Sequence, residues 1–475
     1  MNQRILIRVD ASSEIGYGHL TRCCAFINSI NNTTPYFYSV YDIGENIREL
    51  CHVDFQFDLL QNDEHFLQFI NENDLIVIDG YQFDSHYLAK LKKLKSKVIH
   101  IDDLAKHFES ADLVINPTPG FTSNQYSGLI STQYFLGLDY ALLRTSFQQL
   151  AVQKSFSKIE KSLLICFGGS DPLNKTAVAY QAAVDSQQFN EIHIVLGNGY
   201  THEQKFENTS RNIFVHHALN ENRMAALMAK MEYGIIPSSG ILLECLAANM
   251  KVLSGYYIDN QIFVYREHMK LHTFVDAQNL TYETISSGIE NLLKSSVKPS
   301  IIDGNSSFRI SKIVQSLQNE QNYSLRLATI NDTEITYQWA NDPAIRKFSF
   351  NHDFISLENH IGWFSKKINS SACFYFIMTK EATPIGSIRF DIDQHIATIS
   401  YLLAPTFHGK GLGTILLKKG LEELEPFIKK EHIRVVQGYV LKENSASIKL
   451  FERFGFQSEI DSTLYLFKKN TFIHA

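Results

Sequence analysis

The sequence predicts an α/β fold through its first two-thirds and an α+β fold after that, on three observations. From the N-terminus, short continuous apolar runs alternate with amphipathic stretches, the pattern of buried parallel strands joined by helices. Between about Lys294 and Asn322 lies a stretch holding Ser295, Ser296, Pro299, Gly304, Ser306 and Ser307, where the pattern changes character. Beyond it, strand-like segments follow one another with no helix between them.

Residues 5–9, 75–78, 98–101 and 113–115 read as the strands of a first layer. A polar stretch around Ser155 separates them from a second set at 162–167, 192–196, 213–215, 233–236 and 252–253, again interleaved with helical periodicity. Two Rossmann-like halves, residues 1–152 and 153–318, account for this order. The third domain, residues 323–475, is expected to hold a helix near 332–340 and strands near 374–378, 385–390 and 398–403. A Gly-rich turn and a helix follow those strands.

With 475 residues and 44% hydrophobic content, the chain can bury full cores, which excludes a disordered or fibrous protein. Its 44 Lys+Arg against 50 Asp+Glu leave a net charge of -6, so there is no basic field for nucleic acid or an anionic membrane as partner. Cys23, Cys24, Cys51, Cys166, Cys245 and Cys373 form no Cys-x-x-Cys pair and no metal-ligand spacing. Reduced thiols and a cytoplasmic location are expected. No apolar signal core stands at the start and nowhere do 18 apolar residues run together, so neither export nor a membrane span is expected.

The first strand runs into Ile15-Gly16-Tyr17-Gly18-His19-Leu20-Thr21-Arg22, with two glycines between a strand and a helix start. Such a turn lets the backbone approach a ligand, and the free N–H groups of the helix start favour an anion such as a diphosphate. His19 falls in the first helical turn, where the helix dipole disfavours imidazolium and a neutral ring can accept a proton from water. A lone histidine in that place more often caps or packs the helix, so its company decides.

That company is Arg8-Val9-Asp10-Ala11, Ile101-Asp102-Asp103, Leu136-Gly137-Leu138-Asp139-Tyr140-Ala141-Leu142-Leu143-Arg144 and Phe167-Gly168-Gly169-Ser170-Asp171-Pro172. Together with the first turn, these segments resemble the UDP-sugar hydrolases of pseudaminic acid biosynthesis over roughly residues 1–318. The resemblance implies a GT-B-like pair of Rossmann domains, similar to the peptidoglycan N-acetylglucosaminyltransferase. It implies hydrolysis of UDP-2,4-diacetamido-2,4,6-trideoxy-β-L-altrose to UDP and free sugar, with His19 in the catalytic position. Asp10, Gly16, Gly18, Tyr81, Asp102, Arg144 and Asn260 become candidates for holding the sugar nucleotide or orienting His19. Read singly, the polar ones among them are ordinary strand-end turn residues.

In the second half, Gly169 and Ser170 follow a strand, while Ser239 and Gly240 open a helix that carries Glu244. These turns offer backbone donors to a diphosphate, and Glu244 could accept from ribose hydroxyls, which matches the UDP subsite of GT-B proteins. Asp259-Asn260-Gln261 begins a further helix; in GT-B relatives this Asn-Gln position faces the donor sugar, whereas in isolation it is a helix cap. The step needs a water beside the anomeric carbon and donors for the departing UDP, and no metal.

In the third domain, His408-Gly409-Lys410-Gly411-Leu412-Gly413-Thr414 stands between a strand and a helix, and backbone N–H groups of such a turn can wrap a pyrophosphate. About thirty residues on comes Asn444-Ser445-Ala446-Ser447-Ile448-Lys449-Leu450-Phe451-Glu452-Arg453-Phe454-Gly455-Phe456, and the order and spacing resemble the GNAT acetyltransferase superfamily. The resemblance implies acetyl-CoA as acyl donor, with Asn444 and Ser447 beside the CoA arm. Ser400, Tyr401, Leu402 and Leu403 would line a parting strand that meets pantetheine and thioester. His408 replaces the usual Arg or Gln at the start of the turn. Phe451 stands where many relatives have a tyrosine that protonates the thiolate, and a phenyl ring has no proton to give. The acid is therefore left open, with Tyr439 and Tyr401 as candidates, and Phe451 and Phe454 default to core packing.

Trp339-Ala340-Asn341-Asp342-Pro343-Ala344-Ile345-Arg346, with residues 360–364, resembles the GNAT subgroup containing the pseudaminic acid pathway N-acetyltransferase, which acetylates the 4-amino group of a UDP-linked sugar. Trp339 and Arg346 would then border the acceptor site. Acetylation of UDP-4-amino-4,6-dideoxy-β-L-AltNAc yields the substrate of the hydrolase, so a bifunctional enzyme is expected, each part working when separated near residues 316–322. The competing readings are a GT-B glycosyltransferase with an accessory acyltransferase and a nonenzymatic nucleotide-sugar sensor.

Overall fold

A computed structural model describes residues 3–12, 15–30, 34–105, 110–153, 156–207, 212–295, 301–460 and 463–471. Ser155, Ser296 and Pro299 of the expected linkers lie outside the described residues. The chain divides into two compact units: Met1–Lys106, Val114–Thr122 and Phe135–Lys312 form one, and His107–Leu113, Ser123–Tyr134 and Ile313–Ala475 form the other.

The first sheet holds β1 Ile5–Val9, β2 Tyr36–Ser39, β3 Gln56–Leu59, β4 Leu75–Asp79, β5 Lys97–Ile101, β6 Leu113–Asn116 and β7 Gln133–Leu136, in the order β3-β2-β1-β4-β5-β6-β7. Strands β1 and β4 are buried at every position, as strands covered by helices on both faces require. Arg8, inside β1, is buried as well; its guanidinium donates to Asp10 at 2.6 and 2.9 Å and pairs with Asp63.

The second sheet holds β8 Ile159–Cys166, β9 Glu191–Leu196, β10 Asn212–His217, β11 Met231–Pro237, β12 Lys251–Gly255 and β13 Val275–Asp276. Its order is β10-β9-β8-β11-β12-β13, with every neighbouring pair parallel. Apolar clusters cover both faces: Leu164, Met228, Leu242 and Leu246 fall in one, Leu163, Ala179, Ile235 and Ile289 in the other. The first unit is thus the pair of Rossmann-like sheets that the alternating pattern predicts.

The third sheet, in the second unit, holds β14 Tyr323–Leu327, β15 Cys373–Lys380, β16 Thr383–Asp393, β17 Ile396–Leu403, β18 Val435–Leu441, β19 Gln457–Ile460 and β20 Leu464–Asn470, in the order β14-β15-β16-β17-β18-β20-β19. Only β17 and β18 pair in parallel; the other pairs are antiparallel. The helix Leu412–Lys430 buries Ile415, Leu416, Leu417, Leu421 and Leu424 against this sheet, and Ile130 belongs to the same core.

Candidate functional site

In the first sheet the strand order changes direction between β1 and β4, because successive strands after β1 add on one side and those after β4 on the other. At such a switch point the loops beyond the strand ends diverge and leave a crevice for a ligand. His19 follows β1, as the second residue of the helix Gly18–Asn28, and Asp79 ends β4. The His19 Nδ1 lies 2.7 Å from Asp79 Oδ1. Arg22, one turn further along the helix, donates to the same carboxylate at 2.7 and 3.0 Å and also pairs with Asp103.

Burial alone would raise the Asp79 carboxyl, but Arg22 and His19 outweigh it and hold it below the usual carboxylate value. Burial also works against Arg22, yet Asp103 and Asp79 keep its guanidinium protonated well beyond the ordinary range. Arg22 Nη2 is 2.8 Å from His19 Nδ1, so two groups crowd one Asp79 oxygen. In the Nδ1–H tautomer the imidazole donates to Asp79, and Nε2 is the ring nitrogen turned away from this pair. A buried carboxylate, rather than the helix dipole alone, is thus the nearest charge to the ring.

Tyr81 completes the cluster. Its ring stands edge-on to His19 with centroids 4.6 Å apart, and its hydroxyl donates to Asp103 at 3.1 Å. The Asn260 side chain, from the second Rossmann half, also reaches the Tyr81 hydroxyl. Burial, with Asp103 beside it, raises the phenol, which therefore keeps its proton. Asp103 Oδ1 is buried with no hydrogen-bond partner among the described residues, an acceptor open to a ligand hydroxyl. Gly16 and Gly18 stand next to this cluster in sequence, and a Cβ at either would meet nothing within 4 Å.

Asp10 and Asp102 are placed otherwise. Asp10 accepts from Arg8, Ser39 Oγ, Val40 N and Gln82 Nε2, so its lone pairs already hold the loops after β1 and β2. Asp102 accepts from the Leu104 and Ala105 amides and from Asn116 Nδ2, closing the turn after β5. Sequence reasoning missed Asp79, Arg22 and Asp103 as site residues. The available signal was an acid closing a fully apolar strand, at Asp79, and a second acid beside Asp102.

The second sheet repeats the geometry, with its switch point between β8 and β11. Gly168 (φ +83°) and Gly169 follow β8, and Ser239 and Gly240 start the helix Gly240–Ala247 after β11. A Cβ at Gly168, Gly169 or Gly240 would meet nothing within 4 Å, so there is open space beside both turns, although the Ser239 amide is already spent on the Pro237 carbonyl and the Gly168 amide on Cys166. Ser170 is half-buried between Gly169 and Asp171, whose carboxylate caps the next helix through the Lys175 and Thr176 amides at 2.8 Å each. Arg144 and Glu244 form a bidentate pair at 2.7 and 2.8 Å, so Glu244 meets a guanidinium before it meets a ribose. Gln261 is buried and accepts from the Tyr257 amide at 3.1 Å, while Asn260 is exposed.

In the second unit, β17 pairs with β18 only from Ile396↔Val435 to Ile399↔Gly438, whereas its pairing with β16 continues to Leu403. The strands part at Ser400, leaving the β18-facing backbone of Ser400, Tyr401, Leu402 and Leu403 without ladder partners on that side. Gly409 and Gly411 lie at φ +73° and +75°, conformations that glycine alone adopts without strain, and a Cβ at either would meet nothing within 4 Å. Gly411 caps the 19-residue helix that starts at Leu412, so the amides of residues 409–414 surround a helix start. The His408 Nε2 is 2.9 Å from the Leu403 carbonyl, which ties the turn to the parted strand. A Cβ at Gly413 would meet Leu450 at 3.6 Å and Leu403 at 4.0 Å, and Thr414 accepts from Arg453 at 3.3 Å. Lys410 lies over the Phe407 ring.

Asn444 caps the helix Ser445–Arg453 through the Ser447 amide, and the Ser447 hydroxyl is 2.7 Å from that of Tyr401. Burial pushes the Tyr401 phenol up to about 12. Phe451 is buried, stacked on Phe467 and edge-on to Phe456, and Phe454 is buried too. Tyr439 is exposed.

A cavity of about 230 Å³ adjoins the parted strand, lined by Arg346, His360, Trp363, Tyr375, Arg389 and Tyr401 among others. Arg389 lies over the rings of Trp363 and Tyr375 and donates to Asp391 at 2.8 Å. Among the described residues no Asp or Glu lines this cavity, and Arg346 Nε is buried without a partner. Arg346 is thus brought to the cavity, whereas Trp339 packs into the core with Phe364 and Ile377. Trp363 and Arg389 went unrecognised in the sequence because a strand arginine and a helix tryptophan carry no spacing signal.

Residues 323–457 match the family model described as the acetyltransferase (GNAT) domain. An uncharacterized protein of Methanocaldococcus jannaschii is 25% identical over 488 residues, covering 96% of each chain. The UDP-2,4-diacetamido-2,4,6-trideoxy-beta-L-altropyranose hydrolase of Campylobacter jejuni is 29% identical over 282 residues, 54% of this chain and 93% of its own. A spore coat polysaccharide biosynthesis protein of Bacillus subtilis is 23% identical over 264 residues, 54% of this chain and 78% of its own. The chain therefore joins a region similar to a UDP-sugar hydrolase to a GNAT acetyltransferase domain, and no described helix is long and apolar enough to cross a membrane.

Proposed function

We propose that the first unit hydrolyses UDP-2,4-diacetamido-2,4,6-trideoxy-β-L-altrose and that the second acetylates its precursor, UDP-4-amino-4,6-dideoxy-β-L-AltNAc, with acetyl-CoA. The observation that carries the reading is the Asp79–His19 pair at the switch point of the first sheet, at 2.7 Å. Asp79 holds Nδ1–H, and Nε2 takes a proton from water as the water oxygen bonds to the anomeric carbon. The bond from that carbon to the β-phosphate oxygen breaks, and its electron pair leaves on UDP. The space beside the Gly168–Gly169 and Ser239–Gly240 turns receives the diphosphate, with the Gly169 and Gly240 amides as donors for that charge. Tyr81, Asp103 and Asn260 bind sugar substituents, and Arg144 holds Glu244 toward the nucleotide.

In the second unit the neutral acceptor amine bonds to the thioester carbonyl carbon, the C–S bond breaks and CoA thiolate leaves; the nitrogen gives up one proton to solvent and the thiolate takes one. The Tyr401 phenol, kept protonated by burial and set between the cavity and Ser447, is the group placed to meet that thiolate. Arg389 is already paired with Asp391, so the charge the lining offers is that of Arg346, whose Nε is buried without a partner, and this suits an acceptor that carries phosphate better than a polyamine. The charge of this lining supports the UDP-linked sugar as acceptor.

The test supplies the full chain with the amino-sugar nucleotide and acetyl-CoA in H₂¹⁸O and identifies products by mass and NMR. An N-acetylated UDP-sugar followed by free sugar and UDP lacking ¹⁸O is expected. UDP carrying ¹⁸O would mean attack at phosphorus, and UDP-sugar that stays intact would sink the hydrolase assignment.

A further inference from the structure

We propose that the acetyltransferase fold of this chain is completed by its own residues 110–113 and 123–134, which dock on the face formed by Lys418, the Phe454–Gln457 corner and Lys469. These residues precede the second Rossmann half in sequence, yet they belong to the second unit. The inference concerns how that unit is built and stands apart from which acceptor it acetylates.

Four observations converge. Ile130 is buried within the same apolar cluster as Phe390, Leu416, Phe451 and Phe467. On β20, Lys469 directs its ammonium at three carbonyls, Phe454 at 2.7 Å, Ile130 at 3.0 Å and Leu129 at 3.2 Å, and lies 5.5 Å from the Tyr134 ring centroid. A buried ammonium without acceptors is strongly disfavoured, and two of these three acceptors come from the docked segment. At Gly455 a Cβ would come within 2.9 Å of the Tyr134 ring and 3.2 Å of Ser123 Cβ, so the corner is cut to receive the segment. Gln457 Nε2 then donates to Asn124 Oδ1 at 2.7 Å.

The fourth observation is Lys418, wholly buried in the helix that begins at the Gly-rich turn. It donates to Glu320 at 2.7 and 2.8 Å, and Asp112 lies 3.4 Å away. The two docked stretches hold each other as well: Thr132 Oγ1 donates to the Ala111 carbonyl at 2.7 Å and the Gln133 amide to that of Asp112 at 3.0 Å. The partner this face fits is therefore a looped segment that offers an aliphatic side chain, the carbonyls of Leu129 and Ile130, a phenol ring and a carboxylate. A cut near residues 316–322 leaves the acetyltransferase piece without them, so on this proposal the separated piece lacks part of its core.

The decisive experiment keeps the full chain and replaces residues 123–131 with a Gly-Ser linker of equal length. Acetyl-CoA binding is expected to weaken at least tenfold and hydrogen exchange across Leu464–Asn470 to accelerate at least tenfold, with exchange at Leu75–Asp79 little changed. Unaltered binding and exchange in the replaced chain would overturn the proposal. Should that chain fail to fold, Ile130→Ala in the full chain gives the same reading. Faster exchange at Leu464–Asn470 than at Leu75–Asp79 supports docking, and an equal change at both, or none, refutes it.

Discussion

The first unit puts its chemistry on side chains gathered from far along the chain, whereas the second puts its donor site on backbone within a few consecutive residues. His19, Asp79, Asp103 and Asn260 come from the ends of different elements and meet only because two sheets bring their switch points into one unit. Residues 408–414 need only a turn with two left-handed glycines and a helix start behind it. A site of the first kind fails in rate when one group is removed. A site of the second kind fails in binding when the backbone is bent.

The largest effect is expected from His19→Ala. Removing a general base typically costs about 10²–10⁴-fold, so UDP release should fall by about 10³-fold. The UDP dissociation constant and acetyl transfer should stay within about twofold of the intact chain, because His19 belongs to the first unit alone. A comparable loss of acetyl transfer would erase the contrast between the units.

Asp79→Asn comes next. An amide can hold the ring in the wrong tautomer, and a fall in kcat of about 10²–10³-fold with a nearly unchanged KM is expected. The same change has a stability signature. The folded-state pKa of Asp79 is depressed, so its contribution is present above the unfolded value and lost as pH falls through the folded one. Urea unfolding between pH 7 and pH 3 should therefore show a shallower loss of stability in Asp79→Asn than in the intact chain.

Gly411→Ala tests the other side of the comparison. At φ +75° a Cβ meets open space, so the strain is purely conformational, about 1–2 kcal/mol. That energy tilts the turn away from its donor geometry, and the KM for acetyl-CoA is expected to rise about tenfold while UDP release stays constant. A fall in kcat with unchanged KM would show that the turn acts in the chemical step.

How much of this was legible in the sequence follows from the same contrast. Ile5–Val9 is readable because a strand covered on both faces must be apolar at every position. Tyr36–Ser39 and Gln56–Leu59 have four residues each and no continuous aliphatic run, so they escape that test. The Gly-rich turns are readable because the backbone requirement is written into adjacent residues. The Asp79–His19 pairing is not, because 60 residues separate the partners and only the strand order β1-β4 joins them. Likewise Ile130 reads as an ordinary loop residue until β20 supplies Lys469 beside it.

A smaller effect is expected from Lys469. Burial pushes its ammonium down to about 7 from an ordinary 10.5. In that window the unfolded chain binds the extra proton, so the stability of the second unit should rise from about pH 7 to pH 10.5. Lys469→Met removes the titrating group and should flatten that rise, which denaturation followed at several pH values would show. An unchanged slope would mean that the ammonium is not dehydrated at its three carbonyls.

Phe451→Tyr should change activity least, although it restores the hydroxyl found at this place in many GNAT relatives. The ring is buried between Phe456 and Phe467, and its Cζ would lie 2.4 Å from a Cβ built at Gly438. A new hydroxyl on Cζ is therefore driven against the β18 backbone rather than into the cavity that Tyr401 lines, and acetyl transfer should change by less than about twofold. Overpacking of this kind costs about 1–3 kcal/mol, so the melting temperature of the second unit should fall while its rate stays put. A rate gain would instead mean that the ring swings out of the core when acetyl-CoA binds. The thiolate acid would then belong to position 451, and Tyr401→Phe should leave the rate unaffected.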